Sequence, residues 1–225
     1  MSSDALRPTP TAAYPALKAR WLSLAFILGP SLTAASAALF ISGVALNPGL
    51  MSWGSPVEGV IGLFGYILLI PCFLALADEL GPSMPRTAVA TRGMVLLGFG
   101  GGAVWNMGWR VLIADEIAAG VDTAALDQLM TNMMEGRVSA ALFAITLIGV
   151  FTWISSLILG IGLWRRRGMQ REGALLVAAG ILFPLGQLFQ LGEGFYVAAI
   201  FIWAAALIPI GVRRPEFLGH RYAPA

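Results

Sequence analysis

Along this chain apolar residues gather into long blocks instead of alternating with polar ones. Six blocks approach the roughly 20 apolar residues an α-helix needs to cross the hydrocarbon core of a bilayer. They are residues 21–46, 57–77, 93–114, 139–164, 173–192 and 195–212, the last two joined by the tight turn "LGEGF". Each block predicts a transmembrane helix, so the expected fold is an all-α, six-helix bundle integral to a membrane. Pro30, Pro71, Pro184 and Pro209 fall inside four of the blocks. Each removes one backbone hydrogen bond and can kink its helix, and neighbouring helices re-satisfy the freed carbonyls. A compact, irregular bundle is expected, not six straight rods.

Charge between the blocks predicts orientation. Arg7, Lys18 and Arg20 precede the first block; Arg86 and Arg92 separate the second from the third. Arg165, Arg166, Arg167 and Arg171 separate the fourth from the fifth, and Arg213, Arg214 and Arg221 follow the sixth. The alternate connections are poor in base: "NPGLMSWGSP" has none, and the long third connection sets Arg137 against Asp115, Glu116, Asp122, Asp127 and Glu135. Basic clusters on one side mark the cytoplasmic face, so both termini are expected there. Residues 1–20 then form a loosely ordered cytoplasmic tail, 21–214 the membrane domain and 215–225 a C-terminal tail. The start "KARWLSLAFILGPSLTAASAALF" has signal-peptide features, but its apolar run continues through Leu46, which favours a retained span. Lys18 is the single lysine, a bias of GC-rich bacterial genomes, and the expected location is the bacterial cytoplasmic (inner) membrane.

Composition agrees. Of 225 residues, 58% are hydrophobic and 12% charged, and mean hydropathy is +0.80; soluble domains carry about 25% charged residues. A formal charge of +2, without basic stretches interleaved with aromatics, gives no nucleic-acid surface. With one cysteine, Cys72, the chain has no intrachain disulfide or multi-cysteine motif.

The third block breaks the apolar pattern. In "GFGGGAVWNMGWRVLIADE" Asn106 and Arg110 lie four residues apart and share a helix face, as do Trp105 and Trp109 beside them. Arg110 is expected about one turn below the outer end of its helix. Gln187, Gln190 and Glu193 reach similar depth on the fifth block, and Glu58 opens the second from the same side. A polar layer in the outer third of the membrane is therefore expected. Arg110 would pair with Glu58 or Glu193, and Asn106, Gln187 and Gln190 would complete the hydrogen bonding. An arginine at mid-membrane costs about 2.5–3.5 kcal/mol on insertion scales, less near an interface, and a carboxylate partner accommodates it. The alternative is that Arg110 snorkels outward and the amides glue helices together. Gly98 and Gly102 form a GxxxG pair that suits close helix packing, with a gating or ligand-approach role as the alternative.

In the third connection, "VDTAALDQLMTNMMEGR" predicts a short amphipathic helix on the outer surface. Asp122 is a good N-cap and Gly136 a good stop. Leu126, Leu129, Met130 and Met133 recur on one face, with Ala125 beside them, opposite Asp127, Gln128, Thr131 and Asn132. The helix is either a structural cap or a lid over the polar layer, where flexible methionines would suit an adaptable contact.

Catalytic patterns are missing. His220 is the one histidine and lies in the tail, so the spans offer no histidine to haem or zinc. The sequence has no HExxH or GxSxG motif and no lysine in a span; it identifies no cofactor, metal site or catalytic residue. Thr152, Ser155 and Ser156 are expected to bond back to their own helix. Acid–base work by Arg110, Glu58 and Glu193 is the enzymatic alternative.

"GYILLIPCFLALADELGPSMPRT" followed by a glycine-rich span resembles small bacterial six-helix integral membrane proteins of unknown function. The likeness is one of hydropathy and length and implies architecture alone. Two expectations follow. One is a non-enzymatic membrane protein whose outward-facing pocket binds or passes a small molecule or lipid. The other is an accessory or structural subunit of a larger complex, with membrane-protein partners or copies of itself around it.

Overall fold

In a computed structural model, the described residues are 10–46, 56–104, 107–108, 111–112, 116, 119–135, 144, 147–189 and 194–213. Among them regular structure is entirely helical: α1 (Pro10–Leu46), α2 (Pro56–Leu80), α3 (Pro85–Val95) continuing as a π-helix (Leu96–Ala103), α4 (Thr123–Met134), α5 (Val150–Trp164), α6 (Gln170–Leu188) and α7 (Gly194–Arg213). Three stretches are long and apolar enough to cross a membrane, Leu17–Ser42, Val57–Leu80 and Gly194–Arg213, with Val150–Trp164 a shorter apolar helix.

Several helices start earlier than the apolar blocks. α1 begins at Pro10, inside the expected loose tail, α3 at Pro85 and α6 at Gln170. Hydropathy marks the stretch that fits a hydrocarbon slab, and a helix with polar first turns runs on past it. Pro85 favours such a start, because a proline in the first turn gives up a donor that no carbonyl of the helix would have accepted.

α1 packs on α2 and α7, α6 on α5 and α7, and α3 with its π-helix on both α2 and α5. The helices thus close a ring, with first and last in contact. The outside of the ring is apolar. Leu17, Trp21, Leu24 and Leu28 form an exposed stripe on α1, and Val57, Val60, Phe64 and Ile67 form one on α2. Exposed stripes at helical spacing are faces for lipid, and they identify a membrane-type bundle.

Lipid tails are as apolar as the side chains, so close backbone contact has to hold such helices together. Small residues provide it at each major contact. A Cβ on Gly160 would lie 2.6 Å from the Val177 nitrogen, joining α5 to α6. One on Gly65 would lie 2.7 Å from the Thr33 nitrogen, joining α2 to α1. Gly211 presses on Phe26, and the Ser23 hydroxyl donates to the Gly211 carbonyl at 3.1 Å, joining α1 to α7.

The tightest crossing is at the π-helix. Cβ atoms on Gly98 and Gly102 would fall on the backbones of Thr152 and Gly149 in and just before α5. The GxxxG pair therefore packs helices, and its winding is a feature that periodicity does not reveal: the Val104 amide donates to the Phe99 carbonyl, five residues back. Gly98, Phe99, Gly102 and Ala103 are its buried positions.

Phe99 meets Phe73 and Trp203 at ring-centroid distances of 4.7 and 5.7 Å. Trp153 stacks on Trp203 at 4.3 Å and on Phe183 at 4.2 Å. This aromatic array is the centre of the bundle and draws on α2, the π-helix, α5, α6 and α7. We expect Gly98→Ala and Gly102→Ala to destabilise the protein by about 1–3 kcal/mol, as overpacking does. Gly100→Ala, which meets open space, should leave the midpoint of thermal unfolding in detergent within a degree or two of the parent.

Candidate functional site

Glu58 lies in the first turn of α2, where the helix dipole favours a negative charge. Its side chain is turned into the bundle, with 2% of the residue exposed. The reason is the row Gly59, Gly62 and Gly65, which strips α2 of side chains on one flank. A Cβ on Gly62 would lie 2.6 Å from the Ser36 Oγ and 2.7 Å from the Met107 Sδ, and one on Gly59 would lie 2.6 Å from the Val111 Cγ2. α1, α2 and the described residues Met107 and Val111 thus converge on the turn that bears Glu58. The Ser36 hydroxyl donates there, 3.0 Å from the Glu58 carbonyl and 3.3 Å from its Oε1. A carboxyl group withdrawn from solvent among helices is costly, and this hydroxyl contributes to its hydrogen bonding.

Polar contacts continue deeper. Eight residues along α2, or about 12 Å at 1.5 Å per residue, the Tyr66 phenol shares a hydrogen bond of 2.8 Å with that of Tyr196 on α7. Ser156 joins three helices: its hydroxyl donates to the Leu176 carbonyl of α6 at 3.0 Å and accepts from the Trp203 indole of α7 at 2.8 Å. Ser155 bonds back to the Thr152 carbonyl at 2.8 Å, as expected of a helix hydroxyl. Ser156 departs from that expectation: its hydroxyl donates across to α6 and accepts from α7. The spacing Gly59–Gly62–Gly65 is the sequence signal that could have placed Ser36 beside Glu58; for Tyr66, Tyr196 and Ser156 no local pattern exists.

The opposite end of α2 carries charge of another kind. Arg92 of α3 donates to Asp78 at 2.6 Å, and Arg166, after α5, donates to Glu79 at 2.9 Å. Both acids sit at a helix C-terminus, where negative charge is unfavourable, and the arginines offset it.

Of the other expected site residues, Trp105, Asn106, Trp109, Arg110, Gln190 and Glu193 lie outside the described residues. The backbone of Gln187 is in the last turn of α6, and its side chain is outside what is described. In α4, capped by Asp122 at 3.0 Å from the Ala124 amide, Leu126 is buried and Leu129 half-buried while Gln128 and Thr131 are exposed; Ala125, expected on the apolar face, is exposed, and Asn132, expected opposite, is half-buried. Met130 and Met133 belong to the same helix, with side chains outside the description. Among the described residues no group of three His, Cys, Asp or Glu side chains is placed to hold a metal ion.

Compared with protein-family models, curated proteins and solved structures, the chain matches none. Its reading therefore rests on its own residues. Ser156→Ala should lower stability by roughly 1–2 kcal/mol, because it strands the Trp203 indole N–H in an apolar interior and removes the tie to the Leu176 carbonyl. Ser155→Ala, which breaks a bond within one turn, should change the thermal midpoint much less.

Proposed function

We propose that this chain is a non-enzymatic, six-span protein of the bacterial inner membrane, with both termini cytoplasmic and a polar pocket open to the other side that binds or passes a small molecule or lipid. Glu58 is the observation that supports it. Ionisable side chains inside membrane helices are costly, and where they occur they mark ligand or ion pathways. Gly59 and Gly62 lie against Met107 and Val111, and Arg110 belongs to that stretch of chain. In this reading Arg110 is the cation that Glu58 serves. Asn106, Gln187, Gln190 and Glu193 are the remaining polar wall, with Trp105 and Trp109 beside it. The amphipathic helix α4 covers the opening through Leu126, Leu129, Met130 and Met133; the burial of Leu126 beside exposed Gln128 supports such sidedness.

A second reading, an accessory subunit, draws on a different observation. Most packing glycines are consumed inside the ring, but a Cβ on Gly93, Gly100 or Gly108 would meet nothing. Those positions are open to another helix.

Native mass spectrometry after gentle extraction separates the two readings. The pocket reading expects the chain alone, or as a homo-oligomer, with a persistent extra mass that Glu58→Gln and Arg110→Ala both lose. Stoichiometric co-purification with other chains, and no such mass, would reject the pocket in favour of the subunit. Orientation is tested by reporter fusions. Alkaline phosphatase should be inactive when fused after Arg213 and active after Val121; the reverse pattern would overturn the proposed topology.

A further inference from the structure

The turn between α5 and α6 carries Arg165, Arg166, Arg167 and Arg171. Arg166 is drawn inward to Glu79 and serves the bundle. The other three are exposed and form no ion pair among the described residues. Glu172, the one acid beside them, is half-buried in the first turn of α6. The turn is tight: Gly168 takes a φ of 85°, a left-handed conformation suited to glycine. Beyond it the two helices touch, since a Cβ on Gly173 would fall on the Trp164 backbone. Arg165 follows one member of that contact and Arg171 precedes the other by two residues, so the turn gathers the three guanidinium-bearing residues at one end of the α5–α6 pair.

Apolar surface leads up to them. Val150, Ile161 and Trp164 are exposed on α5, and Trp164, 55% exposed, is the last residue before the arginines. On α6 the exposed positions Ala178, Ile181 and Leu185 lie on the face that has Arg171 at its foot. A lipid-facing stripe that ends in tryptophan and then in exposed guanidinium groups matches the chemistry of a phospholipid: acyl chain, glycerol interface, phosphate.

We propose that the α5–α6 turn is a binding site for an anionic phospholipid, with Arg165, Arg167 and Arg171 holding the headgroup phosphate and Trp164 lying at the glycerol level. Guanidinium groups match phosphate oxygens in bidentate fashion, and basic clusters beside membrane helices select anionic headgroups. The site is at the far end of the bundle from the Glu58 turn and does not depend on the pocket. It requires the arginines to sit at a membrane surface, on whichever side.

The test is lipid retention by the full chain in an uncharged detergent, read by native mass spectrometry with phosphatidylglycerol, cardiolipin or phosphatidylcholine added. The parent should retain the two anionic lipids and not the zwitterionic one. Removing one guanidinium by Arg165→Gln, Arg167→Gln or Arg171→Gln should weaken retention about fivefold, and removing all three by on the order of a hundredfold. Arg86→Gln with Arg213→Gln lowers the net charge elsewhere and should leave retention unchanged. Equal retention of phosphatidylcholine, equal loss in that control, or no loss in the triple variant would overturn the proposal. Displacement of the lipid by millimolar inorganic phosphate would reassign the arginines to a soluble anion. The three single variants alter exposed side chains alone, so the proposal stays open to test if the triple variant fails to fold.

Discussion

The crossing of the π-helix with α5 is the contact on which the rest of the bundle depends. In lipid, helices gain little by hiding apolar side chains from one another, and what remains is van der Waals contact at short range. Gly98 and Gly102 permit it by letting the backbone of one helix rest on Thr152 and Gly149 of the other. That approach has a directional result. It turns Phe99 inward against Phe73 and Trp203, and it places Trp153, next to Thr152, between Trp203 and Phe183. The wider winding of this segment belongs to the same solution, because a run with glycine at 98 and 100–102 offers few side chains to hold a regular turn in place.

A second small-residue row does for the polar end what the first does for the centre. Gly59, Gly62 and Gly65 bring α2 against α1 and the chain near Met107, and Glu58 is carried inward with them. The charged groups at the other end of α2 are treated differently. Arg92 pairs with Asp78 at the bundle surface, where opposite charges are inexpensive to keep, and Arg166 pairs with Glu79 in a more buried contact where each charge has its counter-ion. One helix thus has a carboxyl group buried at its first turn and ion pairs at its last.

How much of this was legible in the sequence depends on the range of the forces involved. The helical class and the apolar stretches follow from composition, because a bilayer imposes a length and a polarity on whatever crosses it. The GxxxG pair at Gly98 and the cap at Asp122 are local patterns and could be read. Hydropathy does not give the early helix starts at Pro10, Pro85 and Gln170, since it is silent about helix outside the slab; a first-turn proline such as Pro85 is the local signal that it passes over. Nor could Ser156 be assigned to Trp203, 47 residues away, or Tyr66 to Tyr196, 130 residues away. Such partners are fixed by which helices become neighbours, and no periodicity encodes that. Within the expected polar layer Glu58 is inside the bundle; Asn106, Arg110, Gln190 and Glu193 lie outside the described residues.

The closure of the ring bears on how the protein is made. Among the described helices synthesis delivers α1 first and α7 last, yet these two are neighbours, tied by Ser23 and Gly211. Trp203, which fills the middle of the aromatic array and satisfies Ser156, also arrives with the final helix. Until then the surfaces of Phe73, Phe99 and Trp153 have no occupant between them, and α1 lacks one of its two flanking helices. Earlier helices can enter the bilayer one after another, but the core is a late event that waits for α7. A chain cut short before α7 would leave α1 and α6 without the helix that packs between them and the aromatic array without Trp203.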